Sequence, residues 1–81
     1  MSDFTDAQRL DFMLNNYRKV VIERLPTGRL AIYVEEGFMG DVRYPAVKFD
    51  GELSHEKSPG VKRRAIDLAL EKSAGTGGQE A

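Results

Sequence analysis

The sequence contains no cysteine and no tryptophan, and its single histidine is His55. Without cysteine the chain has neither a disulfide framework nor a thiolate metal site, which is typical of proteins from a reducing cytosol. No apolar run approaches the roughly 20 residues that a membrane-spanning helix needs. The first residues lack a basic segment followed by an apolar stretch, so we expect no signal peptide. We therefore expect a cytoplasmic protein without a membrane partner.

Neither sign of charge dominates, since 12 Lys and Arg residues are set against 13 Asp and Glu residues. The net charge of −1 gives no general attraction to nucleic acid, so such a partner would require a local basic patch. A chain of 81 residues forms at most one small domain. Its 41% hydrophobic and 31% charged residues are typical of a globular protein.

The strongest structural signal is KVVIERLPTGRLAIYVEE, residues 19–36, which predicts a β-hairpin. Pro26 and Gly28 fit a three-residue loop in which a type I turn is followed by a left-handed glycine. Alternation along the strands then fixes the register, because a shift by one residue would turn the apolar face outward. The predicted pairs are Val20 with Val34, Ile22 with Ile32, and Arg24 with Leu30.

Residues 5–16 predict an amphipathic helix that opens with a capping box formed by Thr5 and Gln8. Most of its apolar residues fall on one stripe, which we expect to face the sheet. The members of this stripe are Ala7, Leu10, Met13, Leu14 and Tyr17. Phe12 lies on the opposite side, so we expect it to be exposed.

The second half of the chain predicts one more strand and one more helix. Residues 42–49 form the strand. Because proline cannot donate a ladder hydrogen bond, Pro45 indicates that this strand lies at an edge of the sheet or begins near the proline. Ser58 and Pro59 mark the start of the helix as its cap and first residue. Residues 73–81 have no apolar surface to bury and predict a disordered tail.

The predicted order is therefore α-β-β-β-α, with residues 1–72 as one domain. A three-stranded antiparallel sheet packed against two helices is an α+β two-layer sandwich. This order resembles the double-stranded-RNA-binding domain, whose first hairpin loop carries Gly-Pro-x-His and whose second helix opens with Lys-Lys-x-x-Lys. This chain has Pro26-Thr27-Gly28 in the loop, and only Lys62-Arg63-Arg64 comes near the basic run. The resemblance implies phosphate contacts at those three basic positions and nothing further.

A second resemblance covers residues 10–17, 32–38, 43–47 and 62–70, which are similar to small uncharacterised proteins encoded by bacteriophages and prophages. No motif in these segments has a known chemical meaning. The resemblance implies a location in the bacterial host cytosol and an accessory role, such as modulating a host or phage factor.

The first candidate site is basic and comprises Lys57, Lys62, Arg63 and Arg64. Cations at a helix N-terminus oppose the macrodipole, whereas an anion there would be met by both the dipole and the side chains. This placement is a physical reason to consider weak nucleic-acid binding, although the solvated face described next is the favoured interpretation. The alternative is a solvated helix face on which Arg63 pairs with Asp67.

The second candidate site is the glycine-flanked pair Phe38 and Met39, together with Phe12. Phenylalanine and methionine are enriched at protein interfaces, so these residues predict a protein-binding or self-association surface. The alternative is that Phe38 folds back over one end of the sheet.

A third group is acidic and comprises Glu35, Glu36, Asp41, Asp50 and Glu52, whose carboxylates suit a hard cation. Their spacing follows no calcium-loop pattern, so a solvated rim is the favoured interpretation. His55 has no evident catalytic partner, and the closing GTGG lacks the strand and helix of a phosphate loop. We therefore expect no catalytic residue, no metal and no cofactor. The sequence favours a non-enzymatic accessory protein that binds a host or phage protein, with a nucleic-acid-binding module as the alternative.

Overall fold

The computed structural model describes residues 4–80 of the chain and the side chains of residues 4–74. The elements are α1 (Asp6–Met13), β1 (Lys19–Arg24), β2 (Leu30–Glu36), β3 (Val42–Arg43), β4 (Val47–Phe49) and α2 (Ser58–Glu80). All strand pairs are antiparallel, with β1 on one side of β2, and β3 and β4 along the other. The predicted α+β architecture, with both helices packed against one antiparallel sheet, is confirmed.

The hairpin has the predicted loop and the predicted register. The Gly28 N–H donates to the Leu25 carbonyl at 2.8 Å, and the Leu25 N–H donates to the Arg29 carbonyl at 2.8 Å. Gly28 has a φ of 93°, the left-handed conformation that the loop requires. Ile22 lies opposite Ile32, as the alternation indicated.

The third strand is broken into β3 and β4, whereas the sequence predicted one strand over residues 42–49. The Tyr44 N–H still donates to the Val34 carbonyl at 2.9 Å, but Pro45 has no N–H, and the ladder resumes only at Val47. The predicted edge position is confirmed. Pro45 is exposed, while Val47 is buried and Phe49 packs against the core.

The core lies between β2 and α2. Ile32 and Val34 are fully buried, and they face a stripe on α2 formed by Val61, Ala65 and Ala69. The two alanines allow the helix to approach the sheet closely. Burying a side chain the size of valine or isoleucine contributes about 1.5–3 kcal/mol, so β2 is the main source of stability in this small domain.

Helix α1 packs on the side opposite to that predicted. Phe12 is only 7% exposed and packs against Val34 and Ala69, while its ring meets Tyr44 edge-on at 6.1 Å. The Arg18 guanidinium lies 3.7 Å from the centre of the Phe12 ring. The expectation that Phe12 is exposed is therefore wrong. The predicted apolar stripe exists, but of its large members only Met13 packs against the core.

Ion pairs to α2 accompany this orientation. Arg9 Nε lies 2.7 Å from Asp67 Oδ1, and Arg63 Nε lies 2.9 Å from Asp6 Oδ1. The predicted pair within α2, Arg63 with Asp67, does not form, because each partner binds a residue of α1 instead. These pairs join the polar edge of α1 to α2, while the neighbouring Phe12 packs over the sheet. The Arg63 and Arg9 hydrogen bonds lower the pKa of Asp6 to about 2.

Helix α2 begins earlier and ends later than expected. The Ser58 N–H donates to the Ser54 carbonyl at 2.9 Å, and the Lys57 N–H donates to Ser54 Oγ at 3.2 Å, so Ser54 takes the capping role predicted for Ser58. The helix extends to Glu80, beyond the predicted end near Lys72. The predicted disordered tail, 73–81, overlaps this helix, since the backbone of residues 73–80 is helical. Residue 81 and the side chains of residues 75–80 lie outside the described residues, and for them the prediction stays a prediction.

Candidate functional site

Five large apolar side chains are exposed along α1 and the loop that follows β2. We call this surface the apolar ridge. Its members and their exposed fractions are Leu10 (60%), Leu14 (74%), Tyr17 (72%), Phe38 (76%) and Met39 (78%). The ridge therefore consists of three residues expected in the core and two expected at a binding surface.

The turn that follows α1 connects the helical part of the ridge to the end of β2. Leu10 and Leu14 stand four residues apart and are neighbours on the helix surface. Asn16 and Tyr17 then adopt left-handed conformations, with φ of 57° and 54°, which end the helix and redirect the chain. The Gly37 N–H donates to the Asn16 carbonyl at 2.8 Å, so the end of β2 is fastened to this turn.

The loop after β2 forms a tight turn, and Phe38 and Met39 lie at its tip. Gly37 and Gly40 have φ of 101° and 70°, and the Gly40 N–H donates to the Gly37 carbonyl at 3.0 Å. The Phe38 ring meets the Tyr17 ring edge-on, with 5.7 Å between the centroids. Because Phe38 is still mostly exposed, it does not cover the end of the sheet. The aromatic pair instead joins the loop to the α1 side of the ridge.

A half-buried polar cluster links the end of α1 to the end of β2, the two places where the ridge residues are attached. Glu36 Oε1 accepts hydrogen bonds from the Tyr44 hydroxyl at 2.6 Å and from Arg18 Nε at 2.8 Å. Arg18 also donates to the Phe12 carbonyl at 2.8 Å, which ties the end of α1 to the end of β2. The Tyr44 hydrogen bond, followed by the Arg18 contacts, lowers the pKa of Glu36. Burial, with a smaller contribution from Glu36, raises the pKa of Tyr44.

The structure brings together two of the three residues predicted to bind protein. Phe38 and Met39 are adjacent and exposed, whereas Phe12 belongs to the core. Leu10, Leu14 and Tyr17 could not be assigned to this surface from the sequence, because an apolar stripe shows that a helix has two faces without showing which one meets the sheet. The size of Phe12 was the one sequence signal for the observed orientation.

The predicted basic site is divided in the structure. Arg63 is bound by Asp6, and the ammonium group of Lys57 lies 5.9 Å from the Phe49 ring. Lys62 and Arg64 are exposed, but residues two apart on a helix do not face each other. The four cations therefore do not converge on one phosphate-sized position.

The acidic residues are mostly engaged in separate ion pairs. Glu35 lies within 3.7 Å of Lys19 and 3.3 Å of Arg43, and Asp50 lies 2.6 Å from Arg29. Among the residues that the structure describes, no group of three or more histidine, cysteine or acidic side chains is arranged to hold a metal ion. His55 is exposed in the turn that precedes α2.

Within residues 4–80, neither helix combines the length and the apolar composition that a bilayer crossing requires. No protein-family model, curated protein or solved structure matches the chain.

Proposed function

We propose that this chain is a non-enzymatic accessory protein that binds another protein through the apolar ridge. The observation that carries the proposal is that five large apolar side chains are each at least 60% exposed, with Leu10 and Leu14 one helical turn apart and the Tyr17 ring in edge-on contact with Phe38. Contiguous exposed apolar surface marks interaction sites in soluble proteins. Aromatic residues and methionine, which supply three of the five members, are enriched at such interfaces.

The surroundings of the ridge define the chemistry of the partner. Asp11 and Asp41 are exposed beside the helical and loop parts of the ridge, respectively. A matching partner presents an apolar groove with a basic rim. Leu10 and Leu14 have the spacing with which an amphipathic helix anchors itself in such a groove. The rim charges would mainly accelerate association, while the apolar side chains would supply most of the affinity.

The resemblance to phage and prophage proteins extends this proposal to its biological setting. On that basis the partner is a host or phage protein, and the complex forms in the bacterial host cytosol. This part of the proposal depends on the sequence resemblance alone.

Site-specific photo-crosslinking tests the proposal. A benzophenone amino acid placed at Phe38 should crosslink one partner from host lysate, whereas the same group at the exposed Lys48 on β4 should not. The double variant Phe38→Ser/Met39→Ser should remove capture of that partner by the otherwise unmodified chain. Both side chains are exposed, so the variant should retain the circular dichroism spectrum of the wild type.

Salt dependence separates this function from nucleic-acid binding. Capture through the ridge should survive on the order of 0.5 M NaCl, since apolar contacts are not screened. Phosphate contacts would instead weaken steeply with salt. Loss of capture in the control variant Lys62→Glu/Arg64→Glu, with no loss in Phe38→Ser/Met39→Ser, would contradict the proposal and favour the basic helix start.

A further inference from the structure

The outer edge of β1 is an unpaired strand edge with an apolar centre. The Leu25 N–H donates to the carbonyl of Arg29, the residue before β2, and hydrogen bonding alternates along an antiparallel pair. The N–H and C=O groups of Val20, Ile22 and Arg24 therefore point away from β2. No hydrogen bond from another described residue reaches the N–H groups of Val20 and Ile22.

This edge lacks the features that usually prevent strands from associating. Soluble proteins protect edges with proline, bulges, central charges or very short strands. β1 has six residues, KVVIER, with its charges only toward the two ends. Ile22 on this strand is 44% exposed. Helix α1 does not shield the edge, because Phe12 packs near Tyr44 on the opposite side of β2.

We propose that two copies of the chain pair antiparallel through β1, with Val21 opposite Val21 on the twofold axis, so that one sheet continues through both. Residues directly opposite each other share a face in an antiparallel pair. On the face of the sheet that the helices cover, this register places Val20 of each copy opposite Ile22 of the other. On the other face it likewise places Lys19 opposite Glu23. The sequence of β1 is thus complementary to itself in both apolar contact and charge.

Neighbouring registers lose this complementarity. Centring the pair on Ile22 sets Val20 against Arg24 and Val21 against Glu23. Centring it on Glu23 brings two carboxylates together, and like charges directly opposite each other are destabilising. Of these registers, only the one centred on Val21 pairs apolar residues with each other and also pairs Lys19 with Glu23. It also allows about four main-chain hydrogen bonds between Val20 and Ile22 of the two copies.

The opposite edge of the sheet explains why association stops at two copies. β3 and β4 have only two and three residues, and Pro45 lies between them. Such short, proline-interrupted edges do not accept a further strand. A twofold contact through β1 is therefore closed, and no fibre follows. Because the paired edge is short, we expect a dissociation constant on the order of 10–100 µM.

Charge exchange tests the register in solution. Sedimentation equilibrium of the wild type should show a concentration-dependent dimer. Lys19→Glu should weaken it by about tenfold, since two opposite-charge pairs become like-charge pairs. The double variant Lys19→Glu/Glu23→Lys should restore wild-type association, which a merely structural role of either residue would not produce. A wild type that stays monomeric at about 1 mM, or a double variant as weak as the single one, would overturn the proposal.

A disulfide provides an independent geometric test, because the natural chain has no cysteine. Val21→Cys should give a covalent dimer on mild oxidation, since the twofold-related Cα atoms would lie about 4.5 Å apart, within disulfide range. Lys48→Cys, exposed on β4, is the matched control and should remain monomeric. Equal crosslinking of both variants would indicate random collision and contradict the paired edge. Dimerisation through β1 is independent of the apolar ridge, so Phe38→Ser/Met39→Ser should still dimerise.

Discussion

The reversed orientation of α1 makes a sharp prediction about stability. Phe12 is 7% exposed, and replacing a buried phenylalanine with alanine costs about 3–5 kcal/mol. Loss of the Arg18 contact with the ring adds about 0.5–1 kcal/mol. A domain of this length has a total unfolding free energy of roughly 4–12 kcal/mol. Phe12→Ala should therefore leave little folded protein. Phe12→Leu should lower the unfolding free energy by only about 1–2 kcal/mol, so it is the variant to measure.

Leu14→Ala is the matched control for this experiment. Leu14 is 74% exposed, so its truncation should cost no more than about 0.5 kcal/mol. A stripe that faced the sheet would instead make Leu14→Ala cost about 2–5 kcal/mol. The two orientations thus predict opposite rankings of the same pair of variants.

Urea unfolding followed by far-UV circular dichroism gives the two free energies. Tyrosine emission is a second probe, because the chain has three tyrosines and no tryptophan. In thermal unfolding, each kcal/mol of lost unfolding free energy should lower Tm by about 4–8 °C. If Leu14→Ala proves more destabilising than Phe12→Leu, the observed packing of α1 is refuted, and the apolar ridge loses its helical members.

Three further outcomes follow from the turns and ion pairs. Tyr44→Phe should raise the pKa of Glu36 toward its ordinary 4.5, as measured by NMR titration of the carboxyl group. The stability that this hydrogen bond contributes is present above pH 4.5 and is lost as the pH falls through the lowered pKa. Asp6→Asn should lower Tm near neutral pH, and the difference from wild type should shrink as the pH falls from 3.8 through about 2, with added salt reducing it. A difference that is undiminished at pH 2 would contradict ionic anchoring of α1. Gly28→Ala should cost about 1–2 kcal/mol of unfolding free energy through its φ of 93° alone, since an added Cβ meets nothing within 4 Å. Gly28→Asn should recover most of that loss, and equal stability of all three chains would rule out strain.

The hairpin and the fold class could be predicted from sequence because their signals are local. Pro26 and Gly28 define the turn within five residues, and the side-chain period of two then sets the register of β1 on β2. Thr5 and Gln8 likewise form the predicted capping box, in which each side chain meets the other's main-chain N–H. In each case the residues that decide the geometry are close neighbours in the chain.

The packing of α1 could not be predicted in the same way. Phe12 meets Val34 and Ala69, and Arg9 binds Asp67, which is 58 residues away in the sequence, so the orientation of α1 rests on residues far along the chain. The break at Pro45 follows from its missing N–H, but the point at which the ladder resumes, with Val47 opposite Ile32, is set by the register of β4 on β2.

The sequence by itself therefore determined the hairpin with its register, the α+β fold class and the self-complementary pattern of β1. The tertiary structure alone decided which apolar residues are covered and which form the ridge. The physical reason is that an amphipathic pattern specifies a relative arrangement of side chains on one element. Burial, by contrast, is a competition among all the elements for a single small core.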